Sequence, residues 1–315
     1  MRVSAGQDET QVHQGIYRQT GLLMTSQDNG SAFVAMAGES VTLSSGRAIG
    51  GWVQGTEGVW TAQLNMAVLN QLTLNGERLT AARYPNEVTD DPVRGGWLFA
   101  EEPTAGVDPY TQIVVRPEDR AAAAIAVGSE GQIWASAGWA NAVLTVQSYD
   151  AATGVVTFDE RAPYDLSAAS RSFVQGTGVQ LDRPGEWYFD ESTNTVHFKA
   201  PPGFDGRGVV ASTDASIIDI TGGQNIRIEG FTIADASTGA SSTDFYTAAI
   251  LVRDGSDVQI LDMPPRRHSA PSAATAPCPP DFARAWAGTR GASRVLSWGQ
   301  GGRIEAAVQV LVHGP

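Results

Sequence analysis

The sequence predicts an all-β chain: a right-handed parallel β-helix, a solenoid, carrying an inserted β-sandwich-like domain. Three observations lead there. A strand-turn-strand phrase, "SIIDITGGQNIRIEG", returns thirty-two positions later as "AAILVRDGSDVQILD". The chain of 315 residues holds 35 Gly and 16 Pro and few long helical patterns, which favours many short strands and turns. Six of the eight tryptophans, from Trp52 to Trp187, fall in the stretch between the two solenoid-like regions.

The repeat matches letter by letter. Ile218, Ile220, Ile226 and Ile228 fall on Ile250, Val252, Val258 and Ile260. The turn Gly222-Gly223-Gln224-Asn225 falls on Asp254-Gly255-Ser256-Asp257. Alternation with period two puts each aliphatic set on one face of a strand, and the Gly/Asn/Asp cluster supplies the bend. One such unit cannot bury its own apolar face, whereas a stack of units can.

Residues 1–50 read as N-terminal coils of the same solenoid. Leu22-Leu23, Phe33-Val34 and Val41 to Leu43 alternate with Gly, Asn, Asp and Ser turns. Residues 51–208 read as the insert, with hairpin turns at Asn75-Gly76, Ala151 to Gly154 and Glu191 to Asn194. Residues 209–263 resume the coils. Residues 264–315 form an irregular tail holding six Arg, one Asp and one Glu, seven of the prolines and the single cysteine, Cys278. No further coil is expected after Met263, since "PPRRHSAP" cannot continue a ladder. Its composition fits either an out-of-frame peptide or a Pro/Ala-rich linker. A stack ending there would lack a cap, so the sequence expectation is a fragment of low stability and little activity.

Charge and motifs narrow the function classes. A net charge of −13 speaks against a nucleic-acid partner, which needs clustered Lys and Arg. No apolar run is long enough to span a membrane, and the first residues lack the apolar core of a signal peptide. His13, His197, His268 and His313 have no metal-ligand spacing, no Cys/His cluster exists, and no phosphate-binding loop is present, so no metal or cofactor is expected.

Three phrases carry a resemblance. "GIYR", with Asn29-Gly30, Gly38-Glu39, Ser45-Gly46 and Trp52, resembles the opening coils of right-handed parallel β-helix proteins of the pectate-lyase superfamily, although the strand usual before "G.Y" is not visible. "NGERLTAARYPN" and "LDRPGEWYFD" resemble β-helix glycoside hydrolases, including β-xylosidase-type enzymes with an inserted β-sandwich. The resemblance spans roughly residues 15 to 262. It implies a secreted, extracellular or periplasmic carbohydrate-active protein acting on a poly- or oligosaccharide, with its carboxylates on coils after the insert.

Glycoside hydrolysis requires two carboxyl groups, one protonated and one ionised. Among Asp219, Glu229, Asp235, Asp244, Asp254, Asp257 and Asp262, most have turn or solvent-facing explanations. Asp235 and Asp244 fall in the longer loop between the two repeats and are the catalytic candidates, with Tyr246 as a substrate-binding neighbour. Arg83, Tyr84 and Asn86 combine a fork of donors, a ring and an amide, which suits sugar binding; the same residues would also serve as a hinge bent at Pro85. A polysaccharide lyase and a non-catalytic carbohydrate-binding or adhesion solenoid are the alternative readings.

Overall fold

The computed structural model describes residues 8–18, 21–88, 90–91, 95–120, 125–134, 141–166, 170–237 and 248–263, and the backbone of 285–287, 294–298 and 306–311. The described chain is all-β, with three single-turn 3-10 helices as its only helical elements. Its first strands are β1 (Glu9–Val12), β2 (Gly15–Arg18), β3 (Leu22–Met24), β4 (Ala32–Ala35) and β5 (Val41–Ser44). β1 lies parallel to β4, and β2 parallel to β5. The strand missing from the sequence reading ahead of Gly15 is therefore present. Its residues Glu9, Thr10 and Gln11 are exposed, so backbone pairing and not an apolar rhythm holds it in place.

A long region follows that is antiparallel except where β11 lies parallel to β19: β6 (Gly46–Ala48), β7 (Val53–Gln54), β8 (Val59–Gln63), β9 (Leu72–Leu74), β10 (Glu77–Arg78), β11 (Thr80–Ala81), β12 (Arg83–Tyr84), β13 (Leu98–Phe99), β14 (Gln112–Val114), β15 (Glu130–Trp134), β16 (Asn141–Asp150), β17 (Val155–Phe158), β18 (Arg171–Gln175), β19 (Glu186–Asp190), β20 (Thr195–Lys199) and β21 (Val209–Ser212). Two sheets, β10-β9-β21-β6 and β11-β19-β20-β8-β7, share a core of Leu72, Val209, Ala211, Ala62, Trp187, Val196 and Phe198. Trp52, Trp60, Phe198 and Phe204 meet edge-on or tilted at the margin of that core, with centroids 5.1–5.9 Å apart. A third sheet, β12-β18-β15-β16-β17-β14, covers a separate core that includes Ile133, Leu144, Val146, Phe158 and Val174. Asn75 and Gly76 take φ of 51° and 90° between the paired β9 and β10, the backbone that an Asn-Gly hairpin turn requires.

The chain then returns to parallel pairing in β22 (Ile218–Thr221), β23 (Arg227–Glu229), β24 (Phe231–Ala234), β25 (Ile250–Arg253) and β26 (Val258–Leu261). Three parallel stacks result: A is β1-β4-β23-β26, B is β2-β5-β24, and C is β3-β22-β25. The repeat read from the sequence is a structural register. Ile218 pairs with Ile250, Ile220 with Val252 and Ile228 with Ile260, and the turns bridge at Gln224 and Ser256. Gly222 and Asp254 share left-handed φ of 69° and 51°, as do Asn225 and Asp257 at 53° and 54°. Met24, Leu43, Ile220, Ile228, Phe231, Val252 and Ile260 meet in one buried cluster inside the stacks.

The tail departs from expectation. β27 (Ala285–Ala287) pairs antiparallel with β26, and β28 (Arg294–Trp298) antiparallel with β29 (Ala306–Leu311). β29 lies parallel on β25, Val308 beside Ile250 and Val310 beside Val252. One more row of stack C is thus supplied from beyond Met263, and the alternation in "AAVQVL" is what allows it.

Candidate functional site

Stack B hands over to stack C at a corner used twice. At one level β5 ends at Ser44 and the antiparallel region departs; at the next, β24 ends at Ala234 and residues 235–249 intervene before β25. The two levels are joined by side chains. Ser44 Oγ donates to Asp235 Oδ2 at 2.6 Å, and Thr73 Oγ1 of β9 approaches Oδ1 at 3.4 Å. Ser45 Oγ donates to the Asp235 carbonyl oxygen. Asp235 is only 6% exposed and holds a left-handed φ of 60°, which an aspartate tolerates better than most residues. Gly46 has no room for a side chain, because a Cβ there would come 2.4 Å from Val210 Cγ1 and 2.7 Å from Asp235 Oδ2.

A second aspartate borders the same corner through its backbone. Asp214, just after β21, accepts at its carbonyl from Ser45 Oγ at 3.3 Å and from the Ser237 amide at 2.7 Å; its carboxylate accepts from Thr213 Oγ1 at 2.8 Å. Ser45 therefore touches both aspartates, one buried and one half-exposed. Sequence reasoning passed over Asp214 because it precedes the repeat and lies outside the loop that drew attention to Asp235. Ser212, paired with Gly46 at the end of β21, has a buried hydroxyl without a partner among the described residues.

Arg83, Tyr84 and Asn86 lie elsewhere and separate from one another. On β12, Arg83 pairs with Gln175 and Tyr84 with Val174, so the two side chains leave opposite faces of the sheet. Tyr84 packs against the core with its hydroxyl 3.4 Å from the Asp119 carbonyl oxygen, and burial raises its pKa. Arg83 joins the outer face. Its guanidinium lies 3.6 Å over the Phe173 ring and 5.7 Å from that of Trp97, and donates to the carbonyls of Pro85 and Gly96 at 3.0 and 2.6 Å. Asn86 donates to Asp182 Oδ1 at 2.9 Å and thereby fastens the turn leading into β19.

That turn is closed by Glu186, whose carboxylate accepts from the amides of Asp182 and Arg183 at 3.1 and 2.9 Å. Burial pushes the Glu186 carboxyl above its ordinary range against the opposing pull of those two amides. Of the residues singled out in the sequence, Asp235 stands at the corner, Arg83 on the outer sheet face, and Tyr84 and Asn86 in supporting positions. Asp244 and Tyr246 lie outside the described residues.

No protein-family model matches the chain, and no curated protein matches it. Among solved structures, one described as a glycoside hydrolase aligns with a TM-score of 0.58 and 19% identity over 72% of this chain. The alignment covers 43% of that structure, so this chain spans under half of its length. A second, described as the complex structure of XylC with xylose, aligns at a TM-score of 0.31 and 14% identity, covering 81% of this chain and 36% of the other. The first similarity establishes a shared all-β fold; the second carries no argument.

Proposed function

We propose that this chain is part of a glycoside-hydrolase-type protein in which stacks A, B and C are coils of a right-handed parallel β-helix and residues 51–208 a β-sandwich-like insert. The reacting carboxylates belong at the B–C corner. The observation that carries this is that Asp214 and Asp235 come to one corner, where the insert leaves the stack and the Ser45 hydroxyl reaches the backbone carbonyl of each. Asp235, buried among hydroxyls, fixes the corner; the half-exposed Asp214 is our candidate for one carboxyl group of the acid and base work, and Asp244, which lies outside the described residues, is the sequence candidate for the other. The fold shared with a glycoside hydrolase supports the reading, and a saccharide substrate follows from it.

The test is product analysis of the purified protein on xylan and on a panel of aryl glycosides. New reducing ends without an unsaturated, ultraviolet-absorbing product fit hydrolysis, and Asp214→Asn should abolish them. An unsaturated product selects a lyase. Release that is untouched by Asp214→Asn and Asp244→Asn removes the corner from the chemistry.

A further inference from the structure

Thr213 stands between the strand that leaves the stack, β6, and the strand that leads back to it, β21. The two strands pair antiparallel with Ser212 opposite Gly46, and one residue further out the Thr213 amide donates to the Ser45 carbonyl oxygen at 3.3 Å. The Thr213 hydroxyl lies 2.5 Å from that same carbonyl oxygen and 2.8 Å from Asp214 Oδ2. A hydroxyl has one proton to give and two lone pairs that accept, whereas a carbonyl oxygen only accepts. Towards Ser45 the hydroxyl therefore acts only as a donor. Towards Asp214 it has two roles. It donates to the carboxylate when Asp214 is ionised, and the Ser45 carbonyl then keeps the Thr213 amide. When Asp214 is protonated the hydroxyl accepts from the carboxyl O–H, and its own proton turns to Ser45.

We infer that Thr213 is a positioning residue for Asp214, holding its carboxyl group in one orientation in both protonation states. The inference deepens the hydrolase reading above and rests on it for the use made of Asp214. A carboxyl group in acid and base work gains and loses a proton in each cycle, and its aim must survive both states because misplacement costs rate. A backbone amide could serve only the ionised form, since it has no lone pair to offer the neutral acid. The Thr213 hydroxyl serves both by turning about one bond, and it can do so because a second acceptor lies within reach. That acceptor belongs to Ser45, whose hydroxyl is itself anchored on the carbonyls of Asp214 and Asp235. The other acid of the corner, Asp235, turns its carboxylate to Ser44 and Thr73, which leaves Thr213 to meet that of Asp214.

Two measurements on the full chain test this. Nuclear magnetic resonance reads the Hα–Hβ couplings of residue 214, which report its χ1 rotamer. One rotamer is expected in the wild type at neutral pH and again in Asp214→Asn, whose amide stands in for the neutral acid. Thr213→Val, which removes the hydroxyl from an exposed side chain and keeps its shape, should average the couplings in either background, and Thr213→Ser should not. In turnover of aryl glycosides Thr213→Val should lower kcat by about tenfold or more with little change in KM, and Thr213→Ser should retain activity. Couplings already averaged in the wild type overturn the inference without any variant. Couplings or kcat unchanged in Thr213→Val, or Thr213→Ser as impaired as Thr213→Val, also overturn it. The two readings fail separately. A protein that hydrolyses nothing removes the hydrolase, and the couplings still decide whether Thr213 holds Asp214. Turnover that Asp214→Asn abolishes and Thr213→Val leaves unchanged keeps the hydrolase and removes Thr213.

Discussion

Asp235 accepts a 2.6 Å hydrogen bond from Ser44, a residue 191 positions earlier, and so ties together two successive levels of the same corner. The antiparallel region departs after Ser44, and the chain re-enters the stacks at β22 and runs through β23 and β24 before it reaches Asp235. The bond is therefore one of the contacts that fix where the departing strands sit against the parallel stacks.

Replacing Asp235 by Ala strands the hydroxyls of Ser44 and Thr73 in a buried setting. A loss of about 1.5–3 kcal/mol is expected, the range for a hydrogen bond to a charged group. Urea denaturation measures it. A stable Asp235→Ala protein with abolished turnover would instead assign Asp235 to the chemistry.

Gly46→Ala acts on the same bond from the other side. The added methyl must displace the Val210 side chain as well as the Asp235 carboxylate, and overpacking of this kind costs about 1–3 kcal/mol. The double variant with Asp235→Ala should cost less than the sum of the two, which a double-mutant cycle reads directly.

Ile228→Ala removes a side chain 1% exposed from the interior shared by the three stacks. A loss of about 2–5 kcal/mol is expected from the transfer and cavity contributions together. Chemical denaturation of the two proteins side by side provides the comparison.

Glu186 gives a signed pH dependence. Its carboxyl is raised above 4.5 in the folded chain, chiefly by burial, so its protonated form is the one the fold favours. The stabilisation linked to that shift is fully present below the unfolded value and is lost as pH rises through the folded one. Relative to the non-titrating Glu186→Gln, the wild type should lose stability as pH rises from 4 to 7. A wild type that holds or gains melting temperature relative to Glu186→Gln across that range would contradict the assignment.

Removing residues 264–315 would strip β29 from β25 and β27 from β26, leaving two strand edges unpaired. Exposed edges recruit other strands. The shortened protein is expected to self-associate in light scattering, whereas the full chain at equal concentration should do so less.

Much of the stack was legible from the sequence because its interior obeys local rules. Ile218 and Ile250 mark their strands by alternation, and Asn225 and Asp257 mark turns by tolerating left-handed backbone. β1 escaped because Glu9, Thr10 and Gln11 carry no apolar signal; only the backbone of Ala32 to Ala35 makes them a strand. β29 was hidden by the proline-rich run before it, although Val308 and Val310 alternate as the earlier rows do. Functional groups were harder to place. Arg83 and Gln175 become neighbours through a pairing across a long stretch of chain, and no local pattern announces it. Asp214 gained its meaning from Ser45 in the same way.

The parallel register of the repeat can be tested with a cysteine pair at Thr221 and Arg253. These residues are paired in register and both exposed, so Thr221→Cys/Arg253→Cys in a Cys278→Ser background should oxidise readily to an intrachain disulfide. Two free thiols that persist in the folded protein under mild oxidant would contradict the stacking on which the corner, its carboxylates and the proposed chemistry all stand.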